Sequence, residues 1–228
     1  MDIDYWPETL VWNVSGGEVQ TLTGKRTACL PYDALVLCTG ATDRLLPLKG
    51  WHYAGTYSLG GAQVALKSQA CAIGRQVIFL GTGPLLYLVA AQYHKAGAQV
   101  AAVLDTSPWS LRLAALPKLM ALPSALAKGL ALTWSLKRAG VPMFTGVRPQ
   151  EILGNAEAGV SGVVFTDAAG QVHRMDCDAV GMGYHLRPET QLADLARCEF
   201  QFDDTLGQWL PKLDAGGRSS VPGVYLAG

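Results

Sequence analysis

This 228-residue chain is short of most of the signatures by which a sequence announces its chemistry. Its five cysteines (Cys29, Cys38, Cys71, Cys177 and Cys198) contain no CxxC pair, so a dithiol redox centre, a zinc site and a disulfide framework are all unexpected. Reduced cytosolic thiols are the simple reading. Net charge is zero, with 18 basic against 18 acidic residues, which removes the electrostatic reason to expect nucleic acid or an anionic membrane as partner. None of the four histidines has a companion at metal or catalytic spacing. His94 falls on a predicted helix and His173 in a predicted meander, while His52 and His185 lie in loops beside glycine-rich turns, better placed to approach a ligand. GxSxG, HExxH, GxxxxGK[ST] and paired-carboxylate patterns are missing, so hydrolase and P-loop readings have no support. The longest apolar run, 111–134, carries Arg112, Lys118 and Lys128 and is cut by Pro117 and Pro123, whereas a bilayer span needs about 20 nearly uncharged residues. Asp2 and Asp4 stand where a secretory signal has basic residues, and the expected location is cytoplasmic.

What is present is a compact α/β composition, 50% hydrophobic and only 16% charged, which argues against disorder. Residues 10–30 read as a β-meander (LVWNV, EVQTL, TACL) punctuated by Gly16-Gly17 and Gly24. YDALVLCTGA (32–41) then reads as a central parallel strand, covered on both faces and ending in glycine. Residues 42–58 suggest a linker, and 61–72 a helix that Gly74 terminates. RQVIFLG, PLLYLVAAQYHKAG and AQVAAVLD make strand, helix and strand within about 30 residues, a βαβ unit. Residues 109–139 read as helical with breaks at both prolines, and VPMF (141–144) as a further parallel strand. A second meander (EILG, SGVVFTD, QVHRMD) leads into CDAVGMGY, so meander, apolar strand and glycine recur, as in two related nucleotide-binding folds.

The chemistry concentrates at Gly81-Thr82-Gly83-Pro84-Leu85-Leu86, which closes the strand and opens the helix of the βαβ unit. The first glycine suits a tight turn, the second lets backbone approach a pyrophosphate, and the helix N-terminus offers unpaired N–H groups to an anion. Pro84 is tolerated in the first helical turn, where its missing N–H has no partner to lose. Leu86 occupies the third glycine position of the dinucleotide fingerprint. Asp105 ends the second strand 22 positions after Gly83, near the spacing of an acid that binds the ribose 2′-OH. Residues 106–108 (Thr-Ser-Pro) hold no arginine, which favours NAD(H) over NADP(H). An empty βαβ, or one that holds a different nucleotide, remains open.

The segments YDALVLCTGATDRLLPLKGW, GTYSLGGAQVALKSQACAIGRQVIFLGTGPLLYLVAAQYHKAGA and VGMGYHLRPETQLADLARCEF resemble the FAD/NAD(P)-type subunits of bacterial amine oxidoreductases. That group takes in opine oxidase A subunits, hydrogen cyanide synthase B subunits, dye-linked proline dehydrogenase α subunits and, more distantly, sarcosine oxidase α subunits. The GTGPLL turn, leucine included, and LRPETQLA are the specific features. The resemblance implies an α/β fold: a Rossmann-like NAD(P)-type domain (59–183), parallel sheet plus meander, flanked by FAD-type remnants at 1–58 and 184–228. The chain then reads as an internal fragment of a longer flavoprotein, with VPGVYLAG as the closing FAD-domain strand and negligible activity expected of these residues alone. By resemblance, Thr39, Gly40, Ala41 and Gly228 would lie near FAD. Gly81, Thr82, Gly83, Pro84, Leu85 and Asp105 would line a second site for NAD(H) or another adenine nucleotide, with Gly181 and Gly183 beside it. The function implied is flavin-dependent oxidation of an amine or amino acid, in partnership with a second oxidoreductase subunit. The alternative is a non-catalytic subunit holding NAD or ATP in support of a partner dehydrogenase.

Overall fold

The computed structural model describes residues 3–227, with backbone alone at 116, 118, 119 and 125. In chain order the first elements are β1 (Thr9–Ser15), β2 (Glu18–Thr23), β3 (Arg26–Pro31), β4 (Leu35–Leu37), β5 (Ala41–Asp43), β6 (Thr56–Ser58) and α1 (Leu59–Gln69). The βαβ unit follows as β7 (Gln76–Thr82), α2 (Pro84–Lys95) and β8 (Gln99–Asp105), then α3 (Trp109–Met120), α4 (Pro123–Arg138) and β9 (Met143–Thr145). A second meander is β10 (Arg148–Asn155), β11 (Gly159–Thr166) and β12 (Val172–Asp176), leading to β13 (Ala179–Tyr184) and β14 (Leu186–Pro188). The chain closes with α5 (Gln191–Leu195), β15 (Phe200–Asp203), β16 (Gln208–Pro211) and β17 (Val224–Leu226).

Two compact units result. The inner one runs Asp43–Leu186, and the outer one takes the described residues up to Thr42 and from Arg187 onward. The inner unit is a five-stranded parallel sheet in the order β6-β13-β7-β8-β9. Parallel strands buried on both faces need apolar residues at successive positions, and β7 supplies them. Val77 and Phe79 face a core made with Leu86, Val89, Ala90 and Tyr93 of α2, Leu59 and Ala62 of α1, and Leu136 of α4. Ile78 and Leu80 face the other way, onto Ile152, Val163 and Phe165 of the β10-β11-β12 meander. Thus one face is covered by helices and the other by an antiparallel sheet. The outer unit pairs β1-β2-β3 antiparallel and β17 with β4 in parallel, around a small core of Val14, Leu37, Ala193, Ala196, Cys198 and Val224. β5 and β14 pair as a ribbon where the chain leaves one unit and returns.

Four local expectations change. The inner unit starts at Asp43, not 59, because residues 42–58 are no simple linker: β6 adds an edge strand alongside Val180–Met182 of β13. β4 is only three residues long, has β17 as its partner among the described residues, and leaves Val36 exposed, so it is not covered on both faces. α1 stops before Gly74, at Ala70, which takes the left-handed conformation (φ 53°) usual after a helix. Pro117 is accommodated inside α3; only Pro123 marks a break, as the first residue of α4, where no N–H is missed.

Phe79 is wholly buried and meets Tyr93 edge-on, ring centroids 5.0 Å apart. Phe79→Ala is expected to destabilise the chain by about 3–5 kcal/mol through the cavity it leaves, read as a lowered urea midpoint at unchanged m-value.

Candidate functional site

The inner sheet has a topological switch point. From β7 the chain passes through α2 to β8 on one side, while β13 lies on the other, and in open α/β sheets the carboxyl ends of strands at such a point are where a ligand crevice forms. Register places Gly183 opposite Gly81 and Tyr184 opposite Thr82. Gly81 has φ +147°, and a Cβ there would run into the Gly183 carbonyl. Gly83 has φ +93°, and a Cβ on it would meet His185 Nδ1 at 2.9 Å. The other two glycines are fitted to apolar neighbours: a Cβ on Gly181 would lie 2.8 Å from the Phe79 ring, and one on Gly183 2.9 Å from Leu59. Leu86, at the third fingerprint position, is fully buried in the helix-side core, and Leu85 packs against it. The helix is therefore seated on the sheet by leucine, and the turn needs only its first two glycines.

Two helices start near this edge, and their ends differ. The N-terminus of α1 is closed by its own chain: Gly60 N–H donates to Asp43 Oδ2 at 2.8 Å and Gly61 N–H to Ser58 Oγ at 2.9 Å. The N-terminus of α2 has Gly83 as its cap and no side-chain capping bond. Its leading N–H groups and the positive end of its dipole are left for an anion. A glycine cradle with no room for a Cβ, beside an uncapped helix end, fits a pyrophosphate.

Asp105 ends β8 level with Gly81 and is only 2% exposed. Its oxygens are already engaged. Oδ1 accepts the Ser107 N–H at 2.7 Å; Oδ2 accepts the Tyr87 hydroxyl at 2.8 Å and pairs with the Arg112 guanidinium. Arg112 Nη2 also donates to the Tyr87 oxygen, and its guanidinium carbon lies 5.6 Å from the Tyr87 ring centre and 5.4 Å from that of Trp109. Burial, together with the Asp105 charge, pushes the Tyr87 phenol up to about 12. For Arg112, burial opposes the charged form, but the Tyr87 and Asp105 contacts outweigh it and hold the guanidinium more firmly protonated than usual. Nearby, the Thr82 and Ser107 hydroxyls bond each other, and the Thr106 N–H donates to the Gly81 carbonyl at 2.8 Å.

The structure thus brings Gly81, Thr82, Gly83, Pro84, Leu85, Asp105 and Gly183 to the carboxyl ends of β7, β8 and β13, whereas Gly181, level with Phe79, lies inside β13. Thr39, Gly40 and Ala41 follow β4 in the outer unit, where Thr39 Oγ1 donates to the Glu189 carbonyl at 2.6 Å and Glu189 N–H to that of Gly40 at 2.9 Å. β17 runs parallel to β4 with Leu226 level with Leu37; Gly228 lies outside the described residues. Sequence reasoning passed over Tyr87 and Arg112. Arg112 lies beyond the Thr-Ser-Pro stretch that follows β8, and Tyr87 reads as an ordinary core residue of an amphipathic helix. His173 has a structural role, bonded to Asp167 at 2.7 Å and stacked on Phe165. All five thiols are free, with Cys177 and Cys198 buried; burial pushes Cys177 up to about 12. Among the described residues no cluster of acids, histidines or cysteines could hold a metal, and no helix is long and apolar enough to cross a membrane.

Residues 5–228 match the family described as pyridine nucleotide-disulphide oxidoreductase. The opine oxidase A subunit of Rhizobium meliloti is 34% identical over 99% of this chain, and the hydrogen cyanide synthase subunit HcnB of Pseudomonas aeruginosa is 30% identical over 94%. The chain spans about half the length of these relatives, 44% and 48% respectively. Thioredoxin reductase of T. acidophilum shares the fold at a TM-score of 0.64 and 20% identity, over 96% of this chain and 64% of that one. The cofactors implied by this family are FAD and NAD(P).

Two outcomes are expected from this geometry. A thiol reagent at neutral pH titrates Cys29, Cys38 and Cys71 in the native chain, and Cys177 and Cys198 only after denaturation, as read by absorbance in both states. The Tyr87 phenol ionises near pH 10 when unfolded and near 12 when folded. The native state binds more protons between those values, so this contribution to stability is complete below pH 10 and is lost as pH rises toward 12. Ultraviolet titration of the wild type against Tyr87→Phe should place the difference signal above pH 11 by about half a unit or more.

Proposed function

The chain belongs to the pyridine nucleotide-disulphide oxidoreductase family, and from that premise we propose that it is the nicotinamide-nucleotide-binding part of a flavin-dependent oxidoreductase, joined to portions of the flavin-binding part. The observation that carries this reading is the turn at the switch point, where two glycines with no space for a side chain meet an uncapped helix end. Gly81, Thr82, Gly83, Pro84 and Leu85 hold the pyrophosphate there, Asp105 stands at the ribose end, and Gly181 and Gly183 keep β13 close enough to form the other wall. Thr39, Gly40 and Ala41, together with Gly228, take the corresponding place toward FAD. When bound, the nicotinamide and the flavin supply the hydride chemistry. The chain's own residues bind and orient them, and no protein nucleophile is needed.

The substrate in this proposal is an amine or amino acid, and a second oxidoreductase subunit takes part. The resemblance of GTGPLL and LRPETQLA to amine oxidoreductase subunits supports both points. So do the relatives, which are named as subunits of an opine oxidase and of a hydrogen cyanide synthase. The enzyme in this proposal is cytoplasmic, and its balanced charge gives no electrostatic support for a nucleic-acid partner.

Thermal melting of the chain with NADH, NADPH, FAD and ATP in parallel tests the reading. A ligand at a hundred times its Kd adds about 2.7 kcal/mol, enough for a clear shift. A nicotinamide dinucleotide should raise the melting temperature of the wild type and raise that of Gly83→Ala much less. A shift with ATP alone would turn the assignment to a non-catalytic nucleotide-binding subunit. No shift with any of the four would overturn it.

A further inference from the structure

The ribose end of the crevice departs from what the Asp105 spacing suggests. A carboxylate that recognises an unmodified adenosine ribose accepts the 2′-OH and repels a phosphate at that position. Here Asp105 is buried, and its acceptor sites are largely spent on Ser107 N–H, the Tyr87 hydroxyl and Arg112. A carboxylate offers about four lone-pair directions, and three are used within the chain. Its charge is neutralised as well, because the Arg112 guanidinium bonds directly to Oδ2. Arg112 reaches this position from the first turn of α3, where Arg112 N–H donates to the Pro108 carbonyl at 3.4 Å.

We propose that Arg112 decides which adenine dinucleotide this crevice takes, by converting the ribose end from a reader of the 2′-OH into a receptor for a 2′-phosphate, so that NADP(H) is preferred to NAD(H). The inference rests on the nucleotide-binding reading given above and replaces the NAD(H) preference drawn from Asp105 alone. Both Tyr87 and Asp105 draw on Arg112 Nη2; among the described residues Nη1 and Nε have no acceptor. Each of those N–H groups can donate a charge-assisted bond to a phosphate oxygen. The side chain is 29% exposed, so it can meet a ligand without leaving Asp105. The Tyr87 ring of α2 and the Trp109 ring of its own helix α3 flank the guanidinium, which favours a fixed binding group over one that swings aside. Pulling Arg112 away to free Asp105 for a ribose hydroxyl would strand a buried carboxylate, and a bare 2′-OH offers too little in return.

The test is direct binding of NADPH, NADH, adenosine 2′,5′-bisphosphate and 5′-AMP to the chain by titration calorimetry, for the wild type, Arg112→Gln and Arg112→Lys. The wild type should bind NADPH over NADH, and the bisphosphate over 5′-AMP, by about tenfold or more, the ratio one charge-assisted bond supplies. Arg112→Gln should bring each pair to within about twofold, whereas Arg112→Lys keeps the order at reduced contrast. Equal or tighter binding of NADH by the wild type overturns the inference while leaving the nucleotide site in place. So does an Arg112→Gln variant that weakens NADH and NADPH alike, the mark of a purely structural role. Failure of all four probes to bind the wild type overturns the nucleotide-binding reading itself. Should Arg112→Gln not fold, the wild-type contrast between the bisphosphate and 5′-AMP decides.

Discussion

The contact on which this molecule turns is the approach of two backbones, Gly81 on β7 and Gly183 on β13, with no volume between them for a side chain. Neighbouring strands lie about 4.8 Å apart everywhere in a sheet, but here the chain must also bend out of the sheet into α2 within two residues. Any Cβ on Gly81 would push the Gly183 carbonyl away and separate the two strands whose ends make the crevice. With the glycines in place, Thr82 stands level with Tyr184, and His185 comes to rest against Gly83. His185 takes a left-handed backbone (φ 68°), and its carbonyl is held by the Arg44 N–H at 2.9 Å. Close packing and the uncapped helix end are thus parts of one arrangement, because the turn that joins sheet to helix is also the turn that leaves the α2 N-terminus without a side-chain cap.

Charge at this edge follows from burial. A carboxylate as deeply enclosed as Asp105 is tolerable only if it is paired and hydrogen-bonded, and α2 and α3 each send one residue to do this, Tyr87 and Arg112. The same pairing alters what a ligand would meet, since a compensated acid no longer presents a bare negative charge. The two helix ends show a similar division. α1 has its dipole answered by Asp43 and Ser58 from within the chain, whereas α2 has no such cap. Positive potential is therefore retained at one point on the sheet edge and cancelled at its neighbour.

Much of this was legible before any coordinates. The βαβ unit, both meanders, the β9 strand and the glycine turn all follow from local signals: runs of Val, Ile and Leu for parallel strands, alternation for the meanders, glycine where backbone must turn. The two glycine-ended strands of the inner sheet were readable too, though not that they lie side by side. Less legible were the edges of the pattern. β6 is a three-residue strand whose only distinction is its partner β13, and β4 looks like a central strand by composition yet has a single neighbour among the described residues.

By itself the sequence determined the βαβ unit and the two meanders, where the GTGPLL turn falls, and that no dithiol lies at CxxC spacing, because each of these is written in residues a few positions apart. Only the tertiary structure decided what Asp105 meets. Its partners Tyr87 and Arg112 lie 18 residues before it and 7 after it, on two helices whose docking on the sheet depends on the whole core. A ribose-binding acid and a neutralised acid look identical in a one-dimensional motif. Their difference is a distance to a guanidinium, and such a distance exists only after the chain has folded.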